Sequence, residues 1–286
     1  MQPITSICGL SFHANMKVFS FGNKHIVLYD DHRSILNVLF EAKKTGLFNT
    51  TPNIIFFDRH DDACNPEIRS GDLFEKWGVD RIGDVSSKEF WSFVEFDLSG
   101  LDDDWLLAGM ELDLINHAVV IGQHENNNIQ SMNNRYESTD GKVHELFDIP
   151  HLNWSIGSRG CLGDNVIKQP FYKNVRNIFE YNQPPFGSYD KFSTEVTKPF
   201  VLDFDLDCFT TECEDNTFAW PEAIFRDKYV DNDDVKCFMQ RIIERSSIIT
   251  ICREPDCCGG LGESNKLLWY LDKYFFNGCL QTSPIR

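Results

Sequence analysis

The sequence predicts an α/β protein, a mostly parallel sheet covered on both faces by helices. Two observations carry this. Short unbroken apolar runs such as Ile26–Tyr29, Ile54–Phe57, Ala118–Ile121 and Ile248–Cys252 are each stopped by polar or turn residues, the pattern of strands buried on both faces. Stretches with apolar residues at helical spacing lie between them, and strand–helix alternation builds parallel sheets under helices.

Ile26-Val27-Leu28-Tyr29 is the first predicted strand, and Asp30-Asp31-His32-Arg33-Ser34 follows it. A helix comes next, with Ile35, Leu36, Leu39 and Ala42 on its apolar face and Gly46 as its stop. His32 is thereby placed at a strand's carboxyl end, the edge where open α/β sheets bind ligands. A lone His can also be purely structural. Ile54–Phe57 then runs into Asp58-Arg59-His60-Asp61-Asp62, and Pro66 closes the segment. Period-2 geometry puts Asp58, His60 and Asp62 on one side of an extended chain. Two carboxylates flanking an imidazole suit Mn, Zn or Fe, the plain alternative being a solvated loop. Ser70-Gly71-Asp72 opens a short helix, and residues 95–104 read as an acidic surface loop. Ala118–Ile121 is a strand ending near His124. Residues 124–145 read as a loop or hairpin excursion, and residues 153–160 as another strand and its turn.

Phe200-Val201-Leu202 drives a second apolar run into Asp203-Phe204-Asp205-Leu206-Asp207. Strand interiors are poor in Asp, and three Asp at period 2 repel one another without a cation between them. Two acidic strand ends in one chain predict a two-metal centre. Asp233 to Arg245 reads as a helix with Val235, Phe238, Met239 and Ile242 on one face and Asp231 or Asn232 as its cap. Ile248–Cys252 delivers Arg253-Glu254-Pro255, and a last helix, Glu263 to Phe275, turns Leu267, Leu268, Leu271, Tyr274 and Phe275 inward. With no internal repeat and no linker, residues 1–286 read as one domain.

A net charge of −17 over 286 residues argues against nucleic acid or an anionic membrane surface as partner and favours a cationic substrate. No apolar run approaches the ~20 residues that span a bilayer, and the first residues lack the basic and apolar regions of a signal peptide. The ten Cys read as reduced thiols of a cytoplasmic protein. Cys252, Cys257 and Cys258 lack the paired Cys-x-x-Cys spacing of a zinc cluster. Nothing in the sequence sets an oligomeric state.

Taken in order, Asp31-His32-x-Ser34, Asp58-x-His60-x-Asp62 with Pro66, and Leu202-Asp203-Phe204-Asp205-Leu206-Asp207 resemble the three metal-binding motifs of the ureohydrolases, the arginase and agmatinase group. The resemblance implies a three-layer α/β/α fold with two Mn²⁺ ions. In the register that puts Asp203 on the family's Ser, His32 binds one ion and His60 the other. Asp58 and Asp205 bridge the pair, Asp62 completes the first ion, and Asp207 the second. An alternative register moves the ligands one pleat earlier, to Asp203 and Asp205. Ions ~3.5–4 Å apart share a water and lower its pKa toward neutrality, ready to attack a guanidinium carbon. Asp62 also accepts a hydrogen bond from that water. Glu254, which precedes Pro255, corresponds to an arginase Glu that holds the guanidinium; the alternative is a surface ion pair with Arg253.

The departures from arginases are informative. Cys64 stands where the family has an Asn contacting the amino acid's carboxylate. After Ile156-Gly157-x-Arg159, the family's Asp positions are Gly160 and Leu162. The family's His about a dozen residues after Asp62 is missing, with His117 or His124 as substitutes. Both clamps for a free amino acid are thus replaced, which resembles the peptide arginases, a divergent branch that converts arginine side chains in ribosomally made peptides to ornithine. The expected function is Mn-dependent hydrolysis of peptidyl arginine, with an arginine-containing peptide as partner. A related metal amidohydrolase acting on a free guanidino compound or an acylated amine, and a non-catalytic module of the same fold, stay open.

Overall fold

The computed structural model describes residues 16–101, 103–123, 128–150, 199–214, 216–231 and 233–282. Strands β1 (Lys17–Phe21), β2 (Lys24–Tyr29), β3 (Asn53–Phe57), β4 (Ala118–Gln123), β5 (Arg135–Glu137), β6 (Val143–Pro150), β7 (Phe200–Asp205) and β10 (Ile248–Cys252) form one sheet in the order β1-β2-β10-β7-β3-β4-β6-β5. The strands from β2 to β6 in that order are mutually parallel, and only the edge strands β1 and β5 pair antiparallel. Strands β8 (Thr210–Cys213) and β9 (Asn216–Ala219) make a separate hairpin directly after β7.

Alternation along each strand divides the core in two. Val27, Ile54, Phe56, Val120 and Val201 face helices α1 (Ile35–Lys44), α2 (Ser70–Trp77), α3 (Ser87–Phe96) and α4 (Trp105–Glu111). A single-turn helix, α5 (Asn128–Ser131), adds Ile129 to that side. Ile26, Ile55, Phe57, Leu202, Phe204 and Ile251 face α6 (Glu222–Tyr229), α7 (Asp233–Arg245) and α8 (Leu261–Tyr274). The result is a mostly parallel central sheet with helices on both faces.

Several elements differ from the expectation. The acidic stretch 95–104 begins inside α3, which a capping box starts: Ser86 Oγ accepts from Glu89 N while Glu89 reaches back to Ser86 N. The helix α4 escaped notice because all seven of its residues are buried, and a helix apolar all round has no amphipathic period. Within 124–145 the hairpin alternative is closer: β5 turns back onto β6, which then runs parallel to β4 as a full member of the sheet. The last helix starts at Leu261 and ends at Tyr274. Tyr274 itself is only part-buried, its hydroxyl bonded to Glu222. The expected strand at 153–160, His124, Asn232 and the side chain of Phe238 lie outside the described residues.

The neighbours β2, β10, β7 and β3 all point the same way, so their carboxyl ends form one contiguous edge. Asp58 follows β3 there, its N–H donating to Ile121 O of β4 at 3.0 Å. Close approach at this point requires Gly122. Its φ is +119°, and an added Cβ would lie 2.4 Å from Asp58 O and 2.6 Å from Cys208 Sγ. Gly122→Ala is expected to cost about 2 kcal/mol or more through backbone strain and overpacking. Gly71→Ala, in open space within α2, is expected to be neutral or stabilising by up to about 1 kcal/mol. Urea denaturation of both variants checks the contrast.

Candidate metal centre

Four strand exits deliver the polar residues to one place. His32 leaves β2 in a short 3-10 turn, His32–Ser34, that leads into α1. Asp205 ends β7 and Asp207 sits in the turn after it. Asp58, His60 and Asp62 follow β3, and Glu254 follows β10.

Two groups of donors result. In the first, His32 Nδ1 lies 3.3 Å from Asp58 Oδ2, 2.9 Å from Asp62 Oδ2 and 3.1 Å from Asp205 Oδ2. In the second, His60 Nδ1 lies 3.1 Å from Asp207 Oδ2 and 3.7 Å from Asp58 Oδ1. Asp58 therefore offers one oxygen to each group. Asp58 Oδ1 also accepts from His60 N at 2.7 Å, and Asp205 is held in the same way, with Oδ2 in the first group and Oδ1 accepting from Asp207 N at 3.0 Å. Asp203 belongs to neither group, because its oxygens face Tyr29, Thr250 and the far nitrogen of His32.

Asp58, Asp62, Asp205 and Asp207 are at most 6% exposed and His32 is 1% exposed, whereas His60 is half exposed at the mouth. The atoms His32 Nδ1, Asp58 Oδ2 and Asp207 Oδ2 are fully buried without any hydrogen-bond partner. Uncompensated buried polar atoms are costly, and these three face the two gaps between the histidines and the carboxylates. The sets His32–Asp58–Asp62, His32–Asp205–Glu254, Asp58–His60–Asp207 and Asp207–Glu254–Cys257 each bring ligand atoms within 4.8 Å of one another. Imidazole nitrogen with several carboxylate oxygens fits a first-row divalent cation.

The electrostatics show what such a cation would relieve. Burial, then the neighbouring Asp62 and Asp205, hold Asp58 well above the usual carboxylate range. Burial and Asp207 push Asp205 up to about 7. For His32, burial works downward, but Asp203 and Asp205 outweigh it and keep the imidazole well above its ordinary value. For His60, burial is likewise outweighed, by Asp207, with the result about 9. Burial would raise Asp62, yet the His32 contact wins and lowers it. Glu254 rises to about 11 through burial and then Asp205.

Glu254 has φ +32° and Asp62 has φ +46°. Left-handed backbone at a non-glycine residue costs ~1–3 kcal/mol and persists where surroundings over-determine it. Around Glu254, Cys257 N and Cys258 N donate to its carbonyl at 3.0 and 2.9 Å. The Arg253 alternative is not formed: Arg253 forks onto Asp30 at 2.5 and 2.7 Å instead. Around Asp62, Leu106 N donates to its carbonyl, and Trp105 Nε1–H donates to Oδ2 at 2.5 Å. Trp105 also lies against His32, ring centroids 4.7 Å apart.

Trp105 is the residue that sequence reasoning missed at the site, and Asp203, named there as a ligand only in the alternative register, lies behind His32 instead. The signal for Trp105 was weak, an Asp104 preceding an unpatterned apolar run. Asp61, inside the motif, turns away and accepts from Asn128 Nδ2 and Ile129 N, so it starts α5. Cys64 sits beside it, contacted by Asn128 Nδ2 at 3.3 Å. His117 is at the amino end of β4, where its Nδ1 accepts from Glu145 N. That is the opposite edge of the sheet from Asp58, so His117 cannot substitute as a shuttle. His124 and residues 156–162 lie outside the described residues.

No protein-family model matches the chain, and no curated protein sequence matches it. Among solved structures, the arginase of Helicobacter pylori is similar over 97% of this chain and 79% of that one, at 14% identity and a TM-score of 0.41.

Two outcomes follow. Asp58→Ala and Asp205→Ala each remove an acid from a like-charged buried group, so the metal-free variants are expected to melt no lower than the metal-free parent. An upward shift is expected for the parent with Mn²⁺, about 2.7 kcal/mol at 100-fold over Kd. It should vanish in Asp58→Ala, which takes an oxygen from both groups, and shrink in Asp205→Ala, which keeps the His60 group; thermal melts with and without Mn²⁺ check this. Loading should also be pH-linked, because a ligand must shed its proton to bind. Groups raised in the metal-free protein keep that proton until pH exceeds their pKa, so affinity rises with pH through about 7 (Asp205) toward 9 (His60). Calorimetry in buffers of different ionisation enthalpy measures the protons released.

Proposed function

We propose that this protein is a metal-dependent hydrolase that cleaves the guanidinium group of arginine within a peptide, leaving ornithine and releasing urea. The observation that carries the reading is the position of Glu254. Its carboxylate groups with His32 and Asp205 on one side and with Asp207 on the other, so it overlooks both donor sets. A carboxylate orients a planar guanidinium through two parallel charge-assisted hydrogen bonds.

When bound, a pair of Mn²⁺ ions supplies a water acidic enough to act as nucleophile near neutral pH. His32, Asp58, Asp62 and Asp205 would hold one ion, and Asp58, His60 and Asp207 the other. Glu254 fixes the guanidinium so that its carbon faces that water. Asp62, itself positioned by Trp105, accepts the proton released as the C–O bond forms. Cleavage of the bond to the side-chain nitrogen then yields the amine and urea, with the proton passing to the leaving nitrogen. The half-exposed His60 marks the open side, through which an arginine side chain enters.

Two features favour a peptide over a free amino acid. Cys64 occupies the position of the family's carboxylate-contacting Asn, and its thiol, a weak donor pushed up to about 11 by burial and the Asp103 contact, offers a free carboxylate less than an amide would. The net charge of −17 suits a cationic peptide. A cytoplasmic setting is in keeping with the cysteines, since Cys64, Cys208, Cys213, Cys252, Cys257, Cys258 and Cys279 are free. No helix among the described residues is long and apolar enough to cross a membrane.

With Mn²⁺ added, urea is expected from arginine-containing peptides and not from free arginine or agmatine. Release from free arginine would remove the peptide assignment, and release from none would remove the hydrolase. Glu254→Gln should keep both metals and lose ~100-fold or more in kcat/KM, about 2.7 kcal/mol. Parent-like kcat/KM in that variant would show that Glu254 does not clamp the substrate.

A further inference from the structure

Asp203 lies in the middle of β7 between Leu202 and Phe204, and it is 0% exposed. A carboxylate in such a place needs several donors to be tolerated. It has three. Tyr29 OH donates to Oδ1 at 3.0 Å, Thr250 Oγ1–H donates to the same oxygen at 2.5 Å, and His32 Nε2 lies 2.9 Å from Oδ2. Thr250 is the residue directly across the β7–β10 ladder from Asp203, and Tyr29 is the last residue of β2. Three neighbouring strands thus supply one small cage behind one histidine.

The geometry has a chemical consequence. An ionised carboxylate only accepts, so His32 Nε2 must carry its hydrogen. The other ring nitrogen, Nδ1, is the one aimed at Asp58, Asp62 and Asp205, and it has no hydrogen-bond partner. Both hydroxyls engage Oδ1, so Asp203 cannot swing an oxygen toward the gap. Asp203 and Asp205, two residues apart, share one side of β7. One stands behind the imidazole and the other in front of it.

We propose that Asp203 is the positioning residue of His32: held by Tyr29 and Thr250, it locks the imidazole with hydrogen on Nε2 and presents the Nδ1 lone pair to the first cation of the candidate centre. The proposal rests on the metal reading above and adds to it a division of labour. Asp203 serves the His32 ion, because it touches His32 directly and reaches His60 only through His32 and Asp58. A carboxylate behind a ligating histidine is commonly worth 10–100-fold in metal affinity.

The test separates the two ions. In a His60→Ala background the His32 group is the remaining site, and in a His32→Ala background the His60 group is. Mn²⁺ binding to the full chain is followed by the paramagnetic resonance signal of free Mn²⁺. Asp203→Asn, which leaves acceptors and donors for the hydroxyls, is expected to weaken Mn²⁺ by ~10-fold in the first background and not in the second, and Asp203→Ala by ~100-fold. Tyr29→Phe and Thr250→Val should each weaken the first site several-fold. Nitrogen-15 spectra of the Zn²⁺-loaded parent should show His32 protonated at Nε2, with that pattern lost in Asp203→Ala. Equal weakening in both backgrounds would mark a general structural defect and overturn the proposal, as would parent-like binding in the first. A parent that binds no Mn²⁺ at all would instead overturn the metal reading itself, and parent-like loading without urea release would overturn only the hydrolase.

Discussion

Carboxylates crowded against one another and almost closed off from solvent are the constraint on which the rest of the structure depends. Asp58, Asp62, Asp205 and Asp207 converge with at most 6% exposure each. Two like charges 4 Å apart repel by ~4 kcal/mol even at an effective dielectric near 20. Such a cluster must be filled by protons or by cations. The fold concentrates it at one edge because β2, β10, β7 and β3 are adjacent and parallel, so residues such as Asp30 and Arg253, 223 positions apart in sequence, leave the sheet side by side.

Much of the surrounding structure holds that edge in place. The fork of Arg253 onto Asp30 joins the exits of β2 and β10, and Arg253 N donates to Tyr29 O as well. Gly122 lets β4 pass close behind Asp58. The buried start of α4 brings Trp105 to Asp62 and His32 together. Asp62 and Glu254, the two residues assigned to chemistry and not only to ligation, are two of the nine non-glycine residues with positive φ among the described residues. Strain of this kind commonly accompanies functional sites.

The parallel sheet and its histidine–aspartate exits were legible because burial on both faces writes an unbroken apolar run, and an acid directly after such a run is out of place unless something binds it. The parts that were not legible lacked a period. Trp105–Glu111 is buried all round, and β1 is largely exposed. The identity of the ligating acids in the third motif could not be read from alternation alone, since Asp203, Asp205 and Asp207 all fit period 2. Tyr29 and Thr250, from other strands, engage Asp203, while Asp205 and Asp207 lie beside His32 and His60. Asp61 shows the converse: a motif position occupied by an acid whose work is to start α5.

The most direct test is an anomalous-scattering map of crystals grown with Mn²⁺. The account predicts two peaks at the carboxyl edge of the sheet, one beside His32 Nδ1 and one beside His60 Nδ1, with Asp58 contributing one oxygen to each. A map without density between these side chains, at Mn²⁺ concentrations that saturate binding in solution, would contradict it.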